Sequence, residues 1–188
     1  MLQAPQQSKL ALATTLADAL ETLAPEPLEF QGPPVVVLTR QSPERLSFEP
    51  EEHVNEAGLA ILEGALRSRV GEGPFSPSAI RRSAVYSGGF VWKFFRLLRA
   101  GVEVAQANDL AVVDDRVMRV VIKEERLNES QSLREVDYRA LAEVHRTNEI
   151  GSVDRSYLDD LYVIAYRDDH VWYEVAPVLW SLLKSFMS

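Results

Sequence analysis

Apolar residues recur at helical spacing in the stretch SGGFVWKFFRLLRAG, from Ser87 to Gly101. At about 100° per residue, its aliphatic and phenylalanine side chains fill one continuous arc of a helix. The opposite arc holds an indole and three cations: Trp92, Lys93, Arg96 and Arg99. Gly88 and Gly89 predict a tight entry into this helix, Ser87 an N-cap, and Gly101 a C-terminal cap. The pattern therefore predicts an amphipathic helix with one basic face that carries no carboxylate.

The same periodicity predicts helices elsewhere in the chain. Ser76 followed by Pro77 is a helix start signal, and Glu135 and Arg139 are spaced to form an ion pair one turn apart. The further predicted helices are Ser8–Leu23, Phe48–Val70, Pro77–Ala84, Ser132–Arg146, a short one within Ser152–Asp160, and a closing helix that starts at Pro177. Helices therefore dominate the predicted structure.

Alternation of apolar and polar residues predicts strands in three places. The β-branched run Val35–Thr39 predicts one short strand at an edge. Alternation over Val102–Lys123 predicts a β-hairpin directly after the basic helix. A second hairpin is predicted from Leu161–Tyr166 and Val171–Val175. The polar stretch Glu124–Gln131 between the two predicted hairpins indicates a linker.

The order of elements in the middle of the chain is helix, short helix, basic helix, glycine and β-hairpin. In this order the stretch PFSPSAIRRSAVYSGGFVWKFFRLLRAGVEV, Pro74–Val104, resembles the winged helix-turn-helix superfamily, and the likeness extends over Glu51–Lys123. The resemblance implies that the basic helix lies in the major groove of DNA while the hairpin wing contacts the backbone or the minor groove. We therefore expect a mainly helical α+β fold in three segments. These are an N-terminal helix and extended segment (1–47), a winged-helix-like domain (48–123) and a small helix-hairpin-helix lobe (124–188).

The resemblance also implies a set of nucleic-acid-binding residues. Trp92 and the three cations beside it take the groove-facing positions, a pair of arginines flanks the DNA backbone, and another arginine lies near the wing tip. The full set is Arg81, Arg82, Trp92, Lys93, Arg96, Arg99 and Arg116. The groove-facing helix lacks the Asn, Gln, Ser or Thr side chains that often read base edges, but arginine can recognise guanine with two hydrogen bonds. Specific and non-specific binding both remain open.

Charge and composition bear on the partner and the compartment. The chain has a net charge of −8, yet seven basic residues and a single acid lie between Ala65 and Ala100. Such a patch attracts phosphates locally, because charges further away than roughly 8 Å are screened at physiological salt. The absence of cysteine excludes disulfides, thiolate nucleophiles and Cys-based metal sites. No signal-peptide pattern opens the chain and no apolar run reaches roughly 18 residues, which predicts a cytoplasmic protein without a membrane partner.

Residues suited to catalysis or metal binding show no diagnostic spacing. The histidines are His53, His145 and His170, and the acid pairs are Asp114-Asp115, Asp159-Asp160 and Asp168-Asp169. The first and third acid pairs are predicted turn formers. Glu143 and His145 lie two apart on a predicted helix and so do not face each other. We therefore expect no catalytic, metal or cofactor site, and an enzyme would need acids and a histidine that converge in a pocket.

These observations predict a DNA-binding winged-helix protein, either a transcriptional regulator or an accessory factor in DNA transactions. The alternative is a non-enzymatic adaptor or inhibitor whose winged helix packs on an acidic protein partner, since Trp and Arg are enriched at binding hot spots. A third interpretation makes the basic arc a solvated helix face. The C-terminal lobe is either part of the core, a degenerate second winged helix or a platform for a homodimer.

Overall fold

The fold is mainly helical, with one two-stranded antiparallel sheet in the described part of the chain. The computed structural model describes residues 16–23, 32–71, 73–151 and 153–187. Residues 16–22 are helical. The α-helices that follow are α1 (Glu56–Val70), α2 (Pro77–Tyr86), α3 (Val91–Ala107), α4 (Asp115–Ser130), α5 (Glu135–Thr147), α6 (Ser156–Asp159) and α7 (Trp180–Leu183). The strands are β1 (Val163–Arg167) and β2 (Val171–Val175), and 3-10 turns lie at Pro50–His53, Pro177–Leu179 and Lys184–Phe186. The mainly helical α+β class is confirmed.

Side-chain caps explain where three of the helices begin. The Asn55 side chain accepts hydrogen bonds from the backbone at the start of α1, and the Ser76 side chain does the same for α2. Asp114 caps α4 by accepting from the Val117 amide at 3.0 Å. A polar cap satisfies amides that the helix leaves without a partner, and it contributes about 1 kcal/mol. The predicted start of α2 at Pro77 is confirmed, whereas Asp114 is a helix cap and not a hairpin turn.

The second predicted hairpin is confirmed. β1 and β2 pair antiparallel, with Tyr166 opposite Trp172 and Val163 opposite Val175. The Tyr166 and Trp172 rings lie 4.7 Å apart between centroids, and both side chains are buried. Asp168 closes the turn by accepting from the His170 amide at 3.1 Å. Because the aromatic pair faces inward, the hairpin packs one side on the helices.

The hairpin predicted for Val102–Lys123 is wrong, because these residues lie in or between two helices. α3 continues to Ala107, and α4 begins at Asp115. Val102 and Ala105 are buried three residues apart, as they are on one face of a helix. Short apolar runs do not distinguish a strand from one face of a helix, so tertiary packing decides between them. The wing is therefore absent from this segment, and the winged helix-turn-helix arrangement is not confirmed.

The predicted C-terminal cap at Gly101 is also wrong, since Gly101 lies inside α3. A Cβ built at this position would lie 2.9 Å from the Met118 sulfur and 2.9 Å from a Val113 methyl group. The glycine therefore lets α3 and α4 approach each other closely. The linker predicted for Glu124–Gln131 is likewise helical, as it forms the second half of α4. The domain boundary expected between residues 123 and 124 falls inside this helix.

The entry to α3 has the tight turn that its glycines predict. Gly88 and Gly89 have φ values of 63° and 84°, in the region that favours glycine. A Cβ on Gly89 would lie 1.9 Å from the Val35 carbonyl oxygen, so any other residue would clash with backbone. Ser87 is not the N-cap: the cap position is Phe90, which has no side-chain hydrogen bond, and the Ser87 hydroxyl donates to the Ala84 carbonyl.

Four other predicted elements are only partly as expected. The predicted helix Phe48–Val70 is split into the 3-10 turn Pro50–His53 and α1, and the predicted strand Val35–Thr39 forms only a single bridge between Leu38 and Val54. Of Ser8–Leu23, the part before residue 16 lies outside the described residues. The closing helix consists of short turns around Trp180, which is fully buried. Apolar residues from the helical segment at 16–22 to α7 belong to one core cluster.

Candidate functional site

Lys93, predicted on the groove-facing side of α3, lies inside the protein. Its ammonium group forms ion pairs with Glu129 and, at 3.4 Å, with Glu125, both on α4. Its side chain is only 6% exposed. A DNA phosphate could therefore reach this ammonium group only if α3 and α4 separated. The residue connects two helices at a depth where an external ligand has no access.

Arg96, Arg99 and Trp92 remain at the surface of α3. Arg96 forms an ion pair with Glu125 of α4, and Arg99 donates to Glu103 one turn further along α3 at 3.2 Å. The Arg96 guanidinium also lies 5.5 Å from the centroid of the Trp92 indole, which is 39% exposed. Each arginine on this face already has a carboxylate partner within the chain. The face therefore presents an aromatic ring and compensated charge.

The acids under this face differ in their ionisation. Burial raises the pKa of Glu129, and its Oε2 atom is buried without a hydrogen-bond partner among the described residues. Burial also disfavours charge on Glu125, but the Lys93 and Arg96 cations outweigh it and hold the pKa of Glu125 below its usual value. Glu125 therefore stays ionised between two cations, while Glu129 retains a proton to a higher pH.

The other predicted contacts lie on different elements. Arg81 on α2 pairs with Glu56 at 2.9 Å. Arg82 holds Glu51 at 2.7 Å and Asp115 at 2.8 Å. Arg116 is exposed on α4, with no ion-pair partner in the part of the chain that the structure describes. The structure thus keeps Trp92, Arg96 and Arg99 at the surface of α3 and buries Lys93. It places Arg81 and Arg82 on α2 and Arg116 on α4.

Sequence reasoning missed the acids that compensate the basic face. Glu129 and Glu125 are 36 and 29 residues from the cations that they hold, in the segment predicted as a linker. Their spacing of four residues would place both on one helix face. A helix prediction for this segment would have indicated an acidic face. A longer α3 would likewise have placed Glu103 one turn after Arg99.

A cleft of about 570 Å³, which we call the charged cleft, opens between α2, α4 and the segment 48–52. Its cations come from the two helices and are Arg82, Arg119, Lys123 and Arg126. Its carboxylates come from the segment and are Glu49, Glu51 and Glu52. Tyr86 also lines the cleft, and burial raises its pKa to about 12, so the hydroxyl keeps its proton. The sequence offered no sign of this cleft, because its walls are distant in the chain.

Arg82 holds the walls of the charged cleft in place. Its two terminal nitrogens contact the Glu51 carboxylate, and its Nε donates to Asp115 at the start of α4. Burial opposes ionisation of Asp115, but hydrogen bonds from Arg82 and Arg119 lower its pKa below the usual value. Arg126 is fixed through its Nε, which donates to the Val178 carbonyl at 2.9 Å. The cleft is therefore organised before any ligand binds.

A buried polar cluster ties α5 to the hairpin. His145 Nδ1 lies 2.7 Å from Glu174 Oε1, and His145 Nε2 donates to the Ser47 carbonyl at 3.1 Å. Asn148 donates to the other Glu174 oxygen at 3.1 Å. Burial raises the pKa of Glu174. His145 and Glu174 are both fully buried and line no described cleft. Their contacts connect α5, β2 and the segment at Ser47. Glu143 takes no part in this cluster.

The described residues contain no group of three or more His, Asp or Glu side chains arranged to hold a metal ion. Within the same ranges, no helix has the length and apolar character needed to cross a membrane. Comparison of the chain with protein-family models, curated proteins and solved structures gives no match.

Proposed function

We propose that this protein is a non-enzymatic adaptor that binds a protein partner through the outer face of α3. This face consists of Trp92, Arg96, Arg99 and Glu103. The observation that carries the proposal is that Trp92 is 39% exposed beneath the Arg96 guanidinium while the cations around it are already paired. An exposed indole held by an arginine is typical of a protein-binding hot spot.

The ion pairs of α3 favour a protein partner over duplex DNA. Binding to DNA depends on cations that neutralise phosphates, with each contact adding about 0.9 to the salt slope. Arg96 and Arg99 would have to exchange their carboxylates for phosphates, and Lys93 is too deeply buried to take part. DNA binding in the manner of a winged helix-turn-helix protein stays a prediction, now without a wing at 102–123.

The contacts of Arg96 reduce the entropy cost of binding. Its guanidinium is held by Glu125 and lies over the Trp92 ring, so neither side chain is free before the partner arrives. Ordering a long side chain at an interface costs about 0.5–1.5 kcal/mol, and a side chain that is already held avoids most of this cost. The partner that fits is a protein with an apolar pocket for the indole and an acceptor beside it.

The proposal is tested by site-specific photo-crosslinking in cells. A photoreactive phenylalanine analogue is placed at Trp92 or, as a matched control, at Ile61, which is 59% exposed on α1. We expect a defined crosslinked protein from position 92 and none from position 61. A crosslink between two copies of this chain would identify the partner as a second copy. Equal crosslinking from both positions would contradict a specific face.

DNA binding is measured in parallel. Fluorescence anisotropy of labelled duplex DNA over several salt concentrations compares the wild type with an Arg96→Gln, Arg99→Gln double variant. Lys93 is left unchanged, because its replacement would disturb the contact between α3 and α4. Salt-dependent binding that the double variant loses would establish DNA as the partner of α3 and overturn the adaptor proposal. We expect no such binding.

A further inference from the structure

The charged cleft has one wall of cations and another of carboxylates. Arg119, Lys123 and Arg126 succeed one another along α4, and none of them is paired with Glu49 or Glu52 of the facing segment. α2 packs against both α4 and the 3-10 turn at Pro50–His53 and so forms the floor between the walls. Because these three cations are not paired with the Glu49 and Glu52 carboxylates, a ligand can meet both charges at once.

We propose that the charged cleft binds a small zwitterion, a molecule of a few carbon atoms with a phosphate or carboxylate group and an amine. This site is separate from the outer face of α3, and the proposal does not depend on that face binding a protein. A volume of about 570 Å³ lies within the range of small-molecule sites, roughly 300–1,000 Å³.

The anionic group would be held by donors that have no partner among the described residues. Arg126 uses its Nε on the Val178 carbonyl, which leaves its two terminal nitrogens available in a fixed orientation. Lys123 has no ion pair or hydrogen bond within the described ranges, and neither does the Tyr86 hydroxyl. An arginine fork, an ammonium group and a phenol together suit a phosphate or a carboxylate.

The amine would be held by the carboxylates of the facing segment. Glu51 is already occupied by Arg82, but Glu49 has no ion-pair partner among the described residues. Among the described residues, Glu52 accepts a single hydrogen bond, from the Ser47 hydroxyl at 2.8 Å. These acids oppose the entry of a simple anion, because like charges in a cleft repel at short range. They therefore favour a ligand that brings a cation of its own.

The size of the ligand follows from the rest of the lining. Phe48, Pro50 and Pro177 add apolar surface between the charged groups. A short carbon chain would contact this surface while its ends meet opposite charges. The Arg82 bridge between Glu51 and Asp115 holds the two walls at a set separation, so little reorganisation is needed on binding.

Binding is tested with the full chain by NMR chemical-shift titration and four small probes. O-phosphoethanolamine and β-alanine carry both charges, with a phosphate and a carboxylate respectively. Ethyl phosphate and propionate are their amine-free counterparts. We expect at least one zwitterion to bind with a dissociation constant of about 1 mM and at least about fivefold tighter than its counterpart. The tighter of the two zwitterions identifies the anionic group.

Exposed residues provide the variants, so that folding is preserved. Lys123→Gln and Glu49→Gln should each weaken zwitterion binding about fivefold, the upper range for an exposed charge pair. The matched controls are Arg116→Gln and Glu124→Gln, exposed charges on α4 that do not line the cleft. These controls should leave the affinity unchanged. Only the Lys123 variant should also weaken the binding of the amine-free probes.

Three results would overturn the proposal. The first is an amine-free probe that binds as tightly as its zwitterion, since the carboxylates would then contribute nothing. The second is the absence of shifts at cleft residues with every probe at about 10 mM. The third is equal weakening by the cleft variants and the controls, which would reveal general charge attraction and not a site.

Discussion

Replacing Lys93 with methionine separates a structural role from a nucleic-acid contact. Methionine keeps an apolar stem of similar length in the site and removes the charge that Glu125 and Glu129 share. If Lys93 faced DNA, the variant would lose affinity for DNA and keep its stability. Since its side chain is 6% exposed, we expect the opposite, a large loss of stability.

The magnitude follows from what the substitution leaves behind. Removing one partner of a buried ion pair costs about 3–5 kcal/mol, because the remaining charge stays buried without compensation. Arg96 still compensates Glu125, so we expect the lower end, about 3 kcal/mol at pH 8. With an m-value of about 2 kcal/mol/M, the urea midpoint falls by about 1.5 M.

The loss should depend on pH. Burial already raises the pKa of Glu129, and removal of the Lys93 cation raises it further. A carboxyl whose pKa is higher in the folded state stabilises the fold below its unfolded pKa of about 4.3, and this stabilisation is lost as the pH rises through the folded value. The Lys93→Met variant should therefore be closer to the wild type at pH 5 than at pH 8.

The assay is urea unfolding followed by tryptophan fluorescence at both pH values. Lys123→Met is the matched control, because Lys123 is exposed on α4 without an ion pair among the described residues, and it should change stability by less than about 0.5 kcal/mol. A Lys93→Met, Glu129→Gln double variant should recover much of the loss. A Lys93→Met loss below about 1 kcal/mol at pH 8 would refute the burial argument.

Three further predictions concern packing and hydrogen bonds. Gly101→Ala should lower the melting temperature, because the added methyl group would lie 2.9 Å from buried side chains. The matched control is Gly64→Ala on the open face of α1, which should raise the melting temperature by adding about 1 kcal/mol of helix propensity. Tyr157→Phe removes the 2.6 Å hydrogen bond that lowers the pKa of Asp137. It should cost about 1 kcal/mol at pH 7, and this cost should shrink as the pH falls and Asp137 becomes protonated, as urea unfolding over a series of acidic pH values would show. Tyr166→Phe should cost about 1 kcal/mol in the same assay, since its buried hydroxyl donates to a backbone carbonyl at 2.9 Å, and an unchanged midpoint would contradict this.

Local signals predicted several elements well. Ser76 and Pro77 mark the start of α2, and Glu135 and Arg139 form the expected ion pair at 2.6 Å on α5. The hairpin around Asp168 is formed as predicted. These features depend on residues within a few positions of one another, where a cap, an ion pair or a turn contributes its own free energy.

The error at Val102–Lys123 came from short apolar runs that fit two periods. Packing of α3 against α4 settles the choice, because Gly101 lets the two helices approach and buried residues on both then share one core. This contact is also what buries Lys93. The wrong assignment of this one segment therefore led to errors in both the predicted fold and the predicted interface.

The sequence by itself determined that the stretch after Phe90 forms an amphipathic helix, that α2 begins at Pro77 and that a hairpin forms around Asp168. Only the tertiary structure decided that the acids of α4 compensate those cations, and that a cleft with oppositely charged walls lies between α4 and the segment 48–52. The physical reason is the distance along the chain over which each interaction acts. Periodicity and caps act over one or two helical turns, whereas burial and charge pairing depend on which distant elements pack together.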